Sequence, residues 1–151
     1  MPKQALIQTD YNSVVPYIVG PTFFISLNSA LAHRVKLRGA IRRISCRIVR
    51  DPLMKQLNTK WRGIPMTTDV LAFPYDEAPS PGQRHEYIGE VIISVDKARR
   101  QAIDQSHALR TEIAHLYTHG VLHILGYDHV TPSQAQRLYA LQALVVKDWK
   151  K

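Results

Sequence analysis

Two histidines four residues apart, followed beyond a glycine by a third, constrain this chain more than any other stretch. It reads His119-Gly120-Val121-Leu122-His123-Ile124-Leu125-Gly126-Tyr127-Asp128-His129. Residues four apart lie on one face of an α-helix, so the imidazoles of His119 and His123 can point at one spot. Gly126 can take the left-handed conformation that ends a helix and turns the chain, which swings His129 toward the same spot. Three neutral nitrogen donors around one ion, with a position left open, form the arrangement of a catalytic zinc site, one ion per chain. His115 also stands four residues before His119. It cannot join both others, because His115 to His123 spans about 12 Å at ~1.5 Å per residue while each Zn–N bond is only ~2.0 to 2.1 Å. A supporting or structural role is expected for it.

The surrounding pattern places these histidines. From Ala108 to Leu125 apolar residues fall on nearly all sides, which predicts a buried central helix with the metal at the edge of the core. Ahead of it, Ala5 to Gln8 reads as a short edge strand and Asp10 to Ser13 as a turn. Leu27, Ala30, Leu31 and Val35 recur at helical spacing within a helix over 23–37. Ile44, Cys46 and Ile48 alternate with Arg43, Ser45 and Arg47, the period of a strand with one wet, basic face. Asp51-Pro52 predicts an N-cap and a first-turn proline, opening a helix to about Asn58. Strands are expected over 68–73 and 88–95, with the polar stretch from Asp76 to His85 between them as a lid or exposed insertion. A helix follows over 96–105. Thr131-Pro132 starts a last one, with Leu138, Leu141, Leu144 and Val145 inward and Lys147 to Lys151 fraying.

A chain of 151 residues is the size of one domain with a real core, and residues 1–151 are expected to form a single one. Its lone cysteine, Cys46, excludes an internal disulfide, and a buried, inert thiol is expected. The most apolar early segment, Tyr17 to Leu27, is broken by Gly20-Pro21 and lacks a basic flank, so no secretory signal is expected; no apolar run is long enough to cross a bilayer. A cytoplasmic location follows. The formal net charge is +8, and the first 50 residues carry Lys3, Arg34, Lys36, Arg38, Arg42, Arg43, Arg47 and Arg50 against the single acid Asp10. Such a surface favours a polyanion, because each neutralised phosphate releases condensed counterions. Arg42 and Arg43 are candidate RNA-binding residues.

The stretch from His119 to His129 resembles the YbeY family of metal-dependent endoribonucleases, whose signature is His-Gly-x-Leu-His-x-x-Gly-Tyr-Asp-His. A second family block is similar to Asn58-Thr59-Lys60-Trp61-Arg62 and to Thr68-Asp69-Val70-Leu71-Ala72-Phe73-Pro74, with Trp61 in place of Tyr and Ala72 in place of Ser. A third resembles Gly89-Glu90-Val91-Ile92-Ile93-Ser94. The resemblance covers about residues 58–129 and is weak over the first 50. It implies an α/β (α+β), zincin-like fold, a small mixed sheet with helices around a central metal helix. It also implies zinc held by His119, His123 and His129, and Arg62 as the catalytic arginine. By the same resemblance the substrate is single-stranded RNA, with roles in maturing the 3′ end of 16S ribosomal RNA and in ribosome quality control. Ribosomal RNA and the small ribosomal subunit are the implied partners, without a membrane.

The chemistry is coherent. Zinc lowers the pKa of its water toward ~7, which supplies hydroxide without a strong protein base. A guanidinium such as that of Arg62 fits a phosphate bidentately and stabilises charge added at phosphorus. Asp128 either orients a ligand imidazole or serves only the turn. In outline the histidine spacing is also that of metzincin peptidases, but Gly120 stands where their general-base Glu should be. A zinc peptidase or related hydrolase is therefore the rival enzyme class. The other alternative is a ribosome-binding factor whose zinc is structural.

Overall fold

The structure is a computed structural model, and it describes residues 6–16, 18–75 and 85–151. Four strands, β1 (Ile7–Ser13), β2 (Ile41–Val49), β3 (Val70–Pro74) and β4 (His85–Ser94), form one sheet in the order β1-β2-β4-β3. β1, β2 and β4 run parallel, and β3 runs antiparallel to β4 on the outer edge. The helices are α1 (Pro21–Arg34), α2 (Asp51–Arg62), α3 (Val95–Asp104), α4 (Leu109–Ile124) and α5 (Pro132–Lys150). A mixed sheet with helices packed around it is the expected α+β arrangement.

Alternation along β2 divides the molecule into two layers. Ile44, Cys46 and Ile48 enter the main core with Leu27 and Leu31 of α1, Ile113, Tyr117 and Val121 of α4, and Leu138 and Val145 of α5. Arg43, Ser45 and Arg47 take the opposite, half-buried face, the basic one expected. There α2 seats Met54 and Leu57 against Val49, Leu71 and Ile92 in a smaller second cluster. Burial pushes the Cys46 thiol pKa up, so the thiol stays protonated, as an inert core cysteine should.

α4 is the buried centre. Its Tyr117 hydroxyl closes a ring of hydrogen bonds, donating to Asn28 Oδ1 (2.7 Å) and meeting Thr9 Oγ1 (2.7 Å), while Asn28 Nδ2 donates to Thr9 Oγ1 (2.8 Å). This ring satisfies every polar group it buries and ties α4 to β1 and α1.

Several expectations need correction. Asp10 to Ser13 is strand, not turn: these residues pair in register with Ser45 to Ile48, and sheet pairing overrides local turn preference. α1 begins at Pro21, behind the N-cap Gly20, and stops at Arg34. Asp51 is not the N-cap; Arg50 is. The Asp51 carboxylate instead accepts from Thr67 Oγ1, Ser94 Oγ and Arg100 Nη2 at 2.9, 2.7 and 2.9 Å, which fastens the start of α2 to the end of β4 and to α3. α2 also runs on past Asn58 to Arg62, where Gly63 in the left-handed conformation caps it, and the buried Asn58 donates through Nδ2 to Met66 O at 2.8 Å. Leu144 is exposed rather than inward. The end of α5 does not fray: Asp148 accepts from Arg34 Nε at 2.6 Å, and Trp149 meets Phe23 edge-on at 5.3 Å. The predicted lid lies outside the described residues over 76–84, and His85 opens β4. Among the described residues no helix is long and apolar enough to cross a membrane.

Candidate metal centre

His119 and His123 project from the last turns of α4 on one face, with their Nε2 atoms 3.1 Å apart. Two nitrogens on one tetrahedral ion with ~2.0 to 2.1 Å bonds stand roughly 3.3 Å apart, so this pair is already near ligand spacing. Gly126 has φ +100°, in the left-handed region, and a hydrogen bond from Tyr127 N to Leu122 O (2.9 Å) folds the chain back over the helix end. That turn returns His129 to the pair, with ring centroids 4.8 Å from His123 and 5.8 Å from His119. One ligand atom from each of the three lies within 4.8 Å of the others, and the group could hold a metal ion. His119 and His123 are half-buried, whereas His129 sits on an exposed loop.

Burial lowers the pKa of both helical histidines. For His123 the neighbouring His119, His129 and Arg62 push the same way, against Asp128. Neutral imidazoles keep their lone pairs free, which is the form a metal requires.

The tautomer of His119 is fixed from behind. Its Nδ1 lies 2.9 Å from Gln142 Oε1, an acceptor only, so Nδ1 carries the proton and Nε2 offers the lone pair. Gln142 in turn donates through Nε2 to His115 Nδ1 at 3.2 Å. His115 therefore supports the site through Gln142 and does not join the ligand group. Nothing in the sequence marked Gln142, since α5 is remote in the chain and only packing brings it to α4. Beyond His115, His107 stacks on it at 5.7 Å and pairs with the buried Glu112 at 2.5 Å.

Two cavities meet at His119 and His129. One, of about 590 Å³, is lined by Arg62, β3 from Val70 to Pro74, His123 and Asp128. The other, of about 670 Å³, is lined by Gln101, His107, Glu112, His115, Tyr139 and Gln142. Asp69 borders both, its carboxylate held by Val70 N at 2.8 Å and Gln101 Nε2 at 3.2 Å. Arg62 is the exposed last residue of α2 and opens onto the same cleft as the three histidines. Ala72 lines that cleft as well. Asp128 Oδ1 accepts from His129 N at 2.7 Å and stands 3.9 Å from His129 Nδ1, so it shapes the turn and faces the ring. Arg42 and Arg43 are not at this cleft. Arg42 donates to Arg38 O and Ala40 O, both at 2.7 Å, and Arg43 Nε stands 3.8 Å from Asp10 Oδ2.

Residues 23–150 match the family model described as Endoribonuclease YbeY. The chain belongs to the endoribonuclease YbeY family. Its relatives include the endoribonuclease YbeY of Persephonella marina, 43% identical over 100 residues, covering 66% of this chain and 65% of that one. The Mycolicibacterium vanbaalenii member is 38% identical, over 64% of this chain and 55% of its own. The Myxococcus xanthus member is 40% identical, over 75% and 38%. Across these YbeY relatives the match spans roughly two fifths to two thirds of their own length. The solution structure of TM1509 from Thermotoga maritima shares the fold, with a TM-score of 0.62 at 21% identity over 94% of this chain and 89% of that one. The family match runs through α1 to α5 and so reaches back to residue 23, into the first 50 residues where the sequence motifs showed little of the resemblance.

Proposed function

We propose that this YbeY family member is a zinc-dependent endoribonuclease that cuts single-stranded RNA. The observation that carries the reading is the shared cleft: Arg62 opens onto the same surface as His119, His123 and His129. A phosphodiester lying there meets a planar fork of donors from α2 and the histidine group from α4. His119, His123 and His129 would hold one zinc ion. When bound, zinc supplies a water acidified toward ~7 and Lewis acidity toward a phosphoryl oxygen. Arg62 grips the phosphate and meets the negative charge that builds as the bond is attacked. Gln142 keeps His119 in the ligating tautomer, and Asp128 faces the ring of His129. Ribosomal RNA of the small subunit, in the cytoplasm, is the substrate that this reading assigns.

The peptidase alternative is opposed by packing. Its general base would replace Gly120, and Gly120 lies directly against Val91 with no room for a carboxylate chain. A closed structural zinc is opposed by the ligand set, which among the described residues holds three histidines and no fourth donor.

The test is incubation of metal-analysed protein with end-labelled single-stranded and duplex RNA, with chelator and with zinc restored. Cleavage of the single strand, abolished by chelator and recovered with zinc, is expected. Intact RNA in the zinc-loaded reaction would overturn the assignment, and casein cleavage would replace it with the peptidase.

A further inference from the structure

Beside Arg62 the surface turns aromatic. Trp61 is 60% exposed, Tyr75 47% and Tyr87 39%. Three such rings left in water near one another is apolar surface that the core does not use, and such surface marks an interaction site. Trp61 and Tyr75 line a cavity of about 380 Å³ with Leu57, Phe73, Pro74 and Ile92, beside the Arg47–Glu90 ion pair of 2.9 Å. Phe73 and Pro74 line this cavity and the metal cleft alike, so the two are continuous over the end of β3. Trp61 lies 6.1 Å from Phe73, and Tyr75 lies 5.4 Å from Tyr87 with the planes tilted by 31°.

The same surface is cationic. Lys60 Nζ lies 4.9 Å from the centre of the Trp61 ring. In the β2–β4 register Arg43 pairs with Tyr87 and Arg47 with Ile92, so both arginines share the sheet face of these rings. Aromatic rings interleaved with cations are what a single-stranded nucleic acid meets, bases stacking on the rings while phosphates track the charges. A duplex keeps its base faces stacked on one another and cannot offer them. An apolar peptide would find the rings attractive but would gain nothing from the neighbouring Lys60, Arg43 and Arg47.

We propose that Trp61, backed by Phe73 and Tyr75, is the stacking platform for a base flanking the phosphodiester held by Arg62, so that single-strand preference is read at this cavity. Arg62 and Trp61 are consecutive residues at the end of α2, which couples the grip on phosphate to the grip on the base. The lysine amine lies at the tip of a flexible chain and moves aside to meet the phosphate of the stacked nucleotide. The inference rests on the RNA reading of the cleft, but it concerns binding and is measured apart from cleavage.

The experiment uses zinc-loaded protein and a fluorescently labelled oligouridine in the cold, with a gel confirming that the strand stays intact. By anisotropy, Trp61→Ala should raise Kd about fivefold to a hundredfold, the usual range for one stacked base, and Trp61→Phe should recover most of the loss. The slope of binding against salt should not change, because no charge is removed. The chain has two tryptophans, so in a Trp149→Phe background the remaining fluorescence is that of Trp61. Oligouridine should quench it, and a duplex of equal length should not. A folded Trp61→Ala protein that binds the single strand as tightly as the parent would overturn the platform. Equal quenching by the duplex would also overturn it. A parent that binds and quenches yet cuts nothing with zinc restored would sink the nuclease reading and leave the platform standing.

Discussion

Gly120 of α4 packs so closely on Val91 of β4 that a Cβ at position 120 would stand 2.8 Å from Val91 Cγ1 and 3.0 Å from Cγ2. The helix carrying two of the histidines is thus seated directly on the valine side chains of the sheet, with no side chain of its own at that point. Val91 is a fully buried, β-branched residue in a paired strand and cannot swing away.

The first prediction follows from that contact. Gly120→Ala gains helix propensity, worth roughly 0.5 to 1 kcal/mol, but overpacking of this kind costs about 1 to 3 kcal/mol. A net loss of up to about 2.5 kcal/mol is expected in urea unfolding. Adding Val91→Ala should remove the clash, so the double variant should lose less than the sum of the two single changes. Strict additivity would show that the two residues do not meet.

Arg62→Lys keeps the charge and loses the bidentate fork. Turnover on single-stranded RNA should fall on the order of a hundredfold to a thousandfold, the cost of removing a comparable donor set, with zinc content unchanged. Parent-like cutting by this variant would leave Arg62 without the role assigned to it.

Gln142→Leu removes the acceptor that holds the His119 proton on Nδ1. Zinc affinity measured by chelator competition should weaken about tenfold to a hundredfold, as for other groups that orient a ligand imidazole, while Gln142→Glu should retain it. Nitrogen NMR of the metal-free protein offers a second reading, since the His119 proton should shift toward Nε2 in the leucine variant. An unchanged tautomer and unchanged affinity would remove Gln142 from the centre.

Burial lowers the pKa of His115, His119 and His123. The unfolded chain, with its histidines near ~6.5, then binds more protons than the folded one in the window below that value. Stability is full above ~6.5 and is lost as pH falls through the window toward the folded pKa values. The Tm of metal-free protein should therefore drop between about pH 7 and pH 5, and His115→Gln should flatten the drop. A Tm independent of pH over that range would contradict the burial of these rings.

How much of this was legible beforehand depends on the range of the interaction. The convergence of the three histidines was, because His119, His123, Gly126 and His129 obey local helix and turn geometry that neighbours do not change. The burial of α4 and the two-faced alternation of β2 were legible for the same reason. Asp10 to Ser13 misled, since the partner that makes it a strand lies more than thirty residues on, in β2. Asp51 looked like a helix cap because its partners Thr67, Ser94 and Arg100 are invisible to local reading. Gln142 was silent, being one glutamine on a helix whose contact with His119 exists only once α5 packs on α4.

The division of the three histidines between a buried helix and an exposed loop has a thermodynamic consequence. The rotamers and backbone of His119 and His123 are fixed by the packing of α4, so their conformational entropy is already lost when the chain folds. An ion held by this group would then leave most of its ordering cost to the exposed turn that carries His129, so more of the attraction of the nitrogens would be available as affinity. Loosening the core under α4 would return that entropy cost to the binding step, and would weaken the centre without touching a ligand.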